Sequence, residues 1–148
     1  MHFVFEGDGY LYIVGPGNEN KPTVFLSAKP LPASGVQSNK VSSKKEFSFP
    51  SGTGNNLTLD SRAGTDNFKI IFSKTPLSTP SLFNEKVTGE PLNAAQQGEL
   101  TSFLNKYQQK APTTELDESD RNEPFVRVKV VGNESSDLLI FDVRIQHN

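Results

Sequence analysis

The sequence predicts a mainly β domain, an antiparallel β-sandwich or open barrel with one α-helix, at about residues 93–111, packed on it. Three observations support this prediction. Short runs of β-branched and aromatic residues recur along the 148-residue chain, and turns drawn from its 11 Gly and 10 Pro separate them. Only one segment carries apolar residues at helical spacing. No strand–helix–strand alternation favours a parallel sheet.

Six strand-like runs lie in the N-terminal half of the chain. They are residues 3–5, 10–14, 23–27, 46–49, 57–59 and 68–73. Asp8-Gly9 separates the first two runs and predicts a hairpin, because glycine adopts positive φ without steric cost. The segments 15–20 and 51–56 predict turns, and the irregular stretch from Lys29 to Lys45 is expected to cover one end of the sheet.

The predicted helix runs from Asn93 to Ala111. Its apolar residues form one stripe, made of Leu100, Phe103, Leu104, Tyr107 and Ala111. Asn93 is placed to cap the N-terminus, and Gln96 follows three residues later, as in a capping box. Pro112 ends the helix because proline lacks the N–H that a helix interior needs.

The remaining segments complete a single domain. In chain order the segments are a β half (1–77), a Pro-rich connection (78–92), the helix (93–111), an acidic loop (112–123) and a closing strand pair (124–147). In the closing pair, residues 125–131 and 138–146 alternate apolar and charged side chains, and a loop of about six residues joins them. Opposite charges on these two strands are predicted to pair where the strands face each other.

The composition excludes several classes of function. The chain has no Cys, which excludes disulfides, thiolate nucleophiles and zinc–cysteine sites. Its two histidines, His2 and His147, lie at the chain ends and leave no base for a catalytic triad. The net charge of −2 argues against a broad nucleic-acid surface, and no apolar run is long enough to span a membrane. We therefore expect that the protein is not an enzyme and that it has no catalytic residues, no cofactor and no metal site.

Tyr10 and Tyr12 are the candidate binding residues. They share one face of their predicted strand, and tyrosine is enriched at binding surfaces. In the alternative interpretation the pair packs at a core margin with its hydroxyls in water. Exposed rings beside amide side chains would favour a glycan as the ligand.

Two other groups of side chains leave alternatives open. The acidic loop offers carboxylates to calcium, but without EF-hand spacing it equally fits a solvated linker. Its carboxylates are Glu115, Asp117, Glu118, Asp120 and Glu123. His2 and His147 either meet at adjacent strand ends and bind a metal ion, or lie separately in solvent.

Four segments of the first half form a recognisable set of motifs. They are Gly9-Tyr10-Leu11-Tyr12-Ile13-Val14, Val24-Phe25-Leu26-Ser27, Phe47-Ser48-Phe49-Pro50 and the run from Ile70 to Leu77. With these motifs the chain resembles a known family, the bacterial domain-of-unknown-function family 4384. The resemblance covers about Gly7 to Leu77, half of the chain. The helix and the strand from Phe141 to His147 are similar to an extension of some members. Members have a longer strand before the Gly-Tyr-Leu-Tyr motif, so we expect Met1 to begin a piece of a longer natural protein.

The resemblance implies a β-sandwich module attached to other parts, among them caspase-like peptidases, protein kinases and envelope-anchoring segments. It supplies no catalytic residues. We therefore expect a non-enzymatic accessory or protein-interaction module of a larger bacterial envelope or signalling protein. Its expected partner is a protein or an adjacent domain of the same polypeptide, not a nucleic acid. The alternative is a glycan- or peptidoglycan-binding module. An extracytoplasmic location is favoured over the cytoplasm, and the oligomeric state stays open.

Overall fold

A computed structural model describes residues 1–57, 64–107, 113–117, 125–129 and 137–147, with backbone alone for 113–117, 125–129 and 147. The strands in these ranges are β1 (His2–Val4), β2 (Gly9–Pro16), β3 (Pro22–Leu26), β4 (Lys40–Val41), β5 (Glu46–Ser48), β6 (Gly64–Ser73), β7 (Thr113–Asp117), β8 (Phe125–Lys129) and β9 (Leu138–His147). The α-helix is α1 (Ala94–Lys106), and short 3₁₀ turns cover Asn18–Asn20, Pro32–Ser34 and Ser81–Phe83.

A five-stranded antiparallel sheet lies at the centre of the structure. Its strand order is β3–β2–β6–β9, and β4 also pairs with β2. β1 pairs with β5, and β7 pairs with β8, in two small antiparallel sheets. The predicted fold class is confirmed: the protein is mainly β, its sheets are antiparallel, its helix lies in the C-terminal half, and the described strands form no closed barrel.

The central sheet is covered on both faces. Tyr12 and Val14 of β2 point to one side, where they join a core with Phe83 and with Phe103 of α1. Leu11 and Ile13 point to the other side and join a core that includes aromatic residues of the β1–β5 region. All four β2 side chains are at most 3% exposed. The sheet is therefore the middle layer of three.

The first turn of the chain differs from the predicted hairpin. β1 pairs with β5, with Phe3 opposite Phe47, and not with β2. The Asp8 carboxylate accepts a hydrogen bond from the Ser43 backbone N–H, and the Ser43 hydroxyl donates to the Glu6 carbonyl. These bonds tie the turn to the segment before β5, so β1 lies in the layer beside the sheet. The prediction of a β1–β2 hairpin was wrong.

The irregular stretch from Lys29 to Lys45 contributes to the central sheet itself. Its β4 extends the sheet beside β2, where Tyr10 lies opposite Lys40. Just before β4, the Asn39 carbonyl accepts a hydrogen bond from the Leu11 N–H, and the Asn39 side chain donates to the Leu11 carbonyl. A buried asparagine thus supplies the partners that a longer strand would otherwise provide.

The helix begins as predicted and ends earlier. Asn93 accepts a hydrogen bond from the Gln96 N–H, and the Gln96 side chain accepts from the Asn93 N–H, which is the predicted capping box. Leu100 and Phe103 of the predicted stripe are buried. The helix ends at Lys106, and the rest of its predicted length, residues 108–111, lies outside the described residues.

The two closing strands, which were predicted to pair with each other, pair with other strands instead. Thr113–Asp117, within the predicted acidic loop, forms β7 and pairs with β8. β9 pairs with β6 along its full length, from Gly64 opposite His147 to Ser73 opposite Leu138. Residues 58–59, 118–123 and 132–133, for which a strand and two loops were predicted, lie outside the described residues.

We expect Gly15→Ala to lower the free energy of unfolding by about 1–3 kcal/mol, because a β-carbon at this position would clash with the buried ring of Phe68. Gly98→Ala is the matched control. Gly98 lies in α1 with open space around the new β-carbon, so this change should raise stability by about 0.5–1 kcal/mol. Urea denaturation measures both. Equal effects of one sign would contradict the packing described at Gly15.

Candidate functional site

The two outer edges of the central sheet differ in how they are covered. At the β3 edge, the Leu92 N–H donates to the Pro22 carbonyl at 2.7 Å. Just beyond β3, the Ala28 N–H donates to the Phe83 carbonyl at 2.9 Å, and the Val87 N–H donates to the Lys29 carbonyl at 3.1 Å. The Pro-rich connection therefore covers this edge with its own backbone.

The β9 edge carries a regular set of outward backbone groups. The Lys74 N–H donates to the Asp137 carbonyl at 2.8 Å, which continues the β6–β9 pairing by one residue. This bond also identifies which residues of β9 form hydrogen-bonded pairs with β6. Hydrogen-bonded and non-hydrogen-bonded pairs alternate in an antiparallel ladder. Hence every second residue of β9 directs its N–H and C=O groups toward β6, among them Leu139, Phe141, Val143 and Ile145. The alternate residues direct theirs outward, and the four that follow Leu139 are Ile140, Asp142, Arg144 and Gln146.

No backbone group within the described ranges pairs with the outward N–H and C=O groups of these four residues. An edge strand of this kind is a template for pairing with another strand, and proteins usually keep such edges short, bulged or covered. β9 is ten residues long and pairs with β6 without a register shift. Its edge is the longest regular backbone surface in the described part of the chain.

The side chains of β9 give this edge two different faces. Leu139, Phe141, Val143 and Ile145 form one row, as their alternation predicted, and we name it the apolar row. These residues pack at the margin of the core beside the β1–β5 region and are each half-buried. On the opposite face Asp142 and Arg144 are exposed, and the Lys69 ammonium lies 2.5 Å from an Asp142 oxygen. The edge thus combines partly exposed apolar surface with one acid and one base two residues apart.

The tyrosines do not form the predicted surface. Tyr10 and Tyr12 do share a face of β2, but α1 and the Pro-rich connection cover that face. Tyr12 is completely buried, its ring centre is 4.9 Å from that of Phe83, and its hydroxyl accepts a hydrogen bond from the Leu77 N–H at 2.9 Å. Tyr10 is half-buried. Tyr12 therefore has no contact with solvent and cannot be part of a ligand platform.

A polar cluster that sequence reasoning missed lies on the β1–β5 sheet. His2 Nδ1 is 2.5 Å from Glu46 Oε1, and the Ser48 hydroxyl lies 3.1 Å from the same Nδ1 and donates to Glu46 Oε1 at 3.0 Å. A catalytic triad places the acid and the serine on different ring nitrogens. Here both contacts meet Nδ1, so the cluster lacks that geometry. Only the β1–β5 register brings residue 2 to residues 46 and 48.

The cluster does perturb one ionisable group. The pKa of Glu46 is lowered from its ordinary value, chiefly by the hydrogen bond from His2, then by the hydrogen bond from Ser48 and the charge of His2. His147, the other histidine, belongs to β9 in a different sheet. Among the side chains that the structure describes, no three His, Asp or Glu groups are close enough to hold a metal ion.

A shallow cleft beside the Pro-rich connection is small. Its volume is about 170 Å³, whereas small-molecule sites usually enclose about 300–1,000 Å³. Val24, Val87 and Leu92 form its apolar floor, and Glu85, Lys86 and Gln96 contribute polar groups. No helix in the described ranges has the length and apolar character needed to cross a membrane.

Comparison with known proteins identifies one family. The family described as Domain of unknown function (DUF4384) matches residues 1–76. No curated protein and no solved structure matches the chain. The matched segment holds β1 to β6, while α1 and β9, which cover a face and extend the sheet, follow it.

We expect Tyr12→Phe to lower the free energy of unfolding by about 1–2 kcal/mol, because the Leu77 N–H loses its acceptor. Tyr10→Phe is the control. The Tyr10 hydroxyl makes no hydrogen bond among those found in the described residues, so its loss should change stability by less than about 0.5 kcal/mol. Chemical denaturation compares the two variants. A larger loss for Tyr10→Phe would contradict this assignment.

The lowered pKa of Glu46 gives a prediction about pH. Its interaction with His2 and Ser48 stabilises the fold above the pKa of Glu46 in the unfolded chain, and this contribution is lost as the pH falls through the lower folded-state pKa. We expect His2→Ala to raise the pKa of Glu46 toward its ordinary value, and Ser48→Ala to raise it less. A carbon-13 NMR titration of the side-chain carboxyl measures this shift. A pKa unchanged by His2→Ala would contradict the predicted coupling.

Proposed function

The chain belongs to the DUF4384 family, and from this premise we propose that it is a non-enzymatic interaction module that binds a protein partner by accepting a strand along the outer edge of β9. One observation carries the proposal. Ile140, Asp142 and Arg144 present outward backbone groups on a ten-residue edge strand, and no described residue pairs with those backbone groups. Strand addition uses such groups for affinity and alternate side chains for specificity.

The side chains of β9 suit this mode of binding. The apolar row is half-buried, so an added strand would cover the exposed part of Phe141 and Val143 and gain hydrophobic free energy. Asp142 and Arg144 on the opposite face would select a partner strand of matching charge. These features favour a protein over a glycan, since the glycan alternative depended on exposure of Tyr10 and Tyr12 and Tyr12 is buried.

We further propose that the module serves a larger bacterial envelope or signalling protein, outside the cytoplasm. The family resemblance implies a module attached to envelope-anchoring segments, caspase-like peptidases or protein kinases, and this implication supports the assignment. The partner is then a protein of that compartment or a neighbouring domain of the same polypeptide.

The edge can be tested with a matched pair of variants. Gln146→Pro removes an outward N–H, whereas Gln146→Ala removes the same side chain and keeps that N–H. We expect an immobilised wild-type chain and Gln146→Ala to retain a saturable protein from the envelope fraction of a bacterial lysate, and Gln146→Pro to lose at least about tenfold in affinity. Equal retention by Gln146→Pro would show that binding does not use the β9 edge.

A further inference from the structure

We propose that the strand added at the β9 edge is β9 of a second copy of this chain, so that two central sheets join about a twofold axis. The inference rests on the proposed function, because it names the partner of the same edge. A twofold interface must be complementary to itself, since each copy presents the same surface to the other. The side-chain pattern of β9 meets that requirement in one register.

The alternation of side chains between the two faces of β9 limits the registers in which two copies can pair. Two antiparallel copies of β9 keep their faces aligned only when a residue lies on the twofold axis opposite itself. Centring the pair on Val143 overlaps almost the whole strand and places outward residues opposite outward residues. Ile140 then faces Gln146 of the second copy, and Asp142 faces Arg144 of the second copy. Each such pair exchanges both of its backbone hydrogen bonds.

Charge selects this register over its neighbours. With Val143 on the axis, Asp142 and Arg144 form two opposite-charge pairs across the joint. A shift to Asp142 on the axis sets two carboxylates against each other, and a shift to Arg144 sets two guanidinium groups against each other. Like charges directly opposite on paired strands are destabilising. Lys69, which already contacts Asp142 from β6, places that carboxylate between two cations and strengthens the same arrangement.

The apolar row is self-complementary in this register too. Phe141 faces Ile145 of the second copy, and Val143 faces its own equivalent. These are non-hydrogen-bonded pairs, in which the α-carbons approach to about 4.5 Å and the side chains lie closest. Aromatic and β-branched residues are favourable cross-strand partners. The exposed part of each row would therefore be buried against the row of the other copy.

Sedimentation velocity over a concentration series tests the inference with two charge-reversal variants, Asp142→Arg and Arg144→Asp. The wild-type chain should form a concentration-dependent dimer. Each variant alone places like charges at both contacts between residues 142 and 144 of the two copies, so its dimer dissociation constant should rise at least about tenfold. An equimolar mixture of the two variants restores opposite charges at both contacts and should form a heterodimer close to the wild-type affinity.

Recovery in the mixture shows that neither variant is merely misfolded, and hydrogen exchange of the β6–β2 amides provides an independent check on folding. A wild-type chain that stays monomeric at every concentration overturns the inference. So does dimerisation that the single variants do not weaken, or a mixture that fails to associate. In each case the proposed function is tested separately, by whether Gln146→Pro weakens capture of a protein from the envelope fraction while Gln146→Ala does not.

Discussion

The fold depends on one constraint: the two inner strands of the central sheet are apolar on both faces, and both faces need cover. Ile70 and Ile71 of β6 are completely buried on opposite sides of the sheet, as are Leu11 and Tyr12 of β2. Strands of this kind read as continuous apolar runs, a pattern usual in sheets packed on two sides. The helix and the Pro-rich connection cover one face, and the β1–β5 sheet covers the other.

Those features that depend on neighbouring residues were predictable from the sequence. The capping box needs only Asn93 and Gln96, and the faces of β2 and β9 follow from the period of two. The partners of β1 and β9 were not predictable, because the alternatives differ in long-range packing. The Asp8-Gly9 sequence is typical of a hairpin turn. Here it connects strands of two different sheets, and the Asp8 carboxylate accepts a hydrogen bond from the Ser43 N–H.

The candidate site was out of reach for the same reason. Tyr12 was selected because residue type favours binding, but its exposure depends on where α1 lies. Conversely, the acid–valine–base order at residues 142–144 is visible in the sequence, and it has meaning only once β9 is known to be an outer strand. Strand order, which links distant parts of the chain, decides which residues are available for binding.

The pairing of β6 with β9 also has a consequence for biosynthesis. Gly64 lies opposite His147, so the sheet closes by joining segments that leave the ribosome far apart in time. Loops of this length slow folding, because the entropy lost on closing them precedes the gain from the contacts. The side of β6 that pairs with β9 thus lacks its partner strand while residues 74–137 are synthesised, and during that interval it is open to association with other nascent chains.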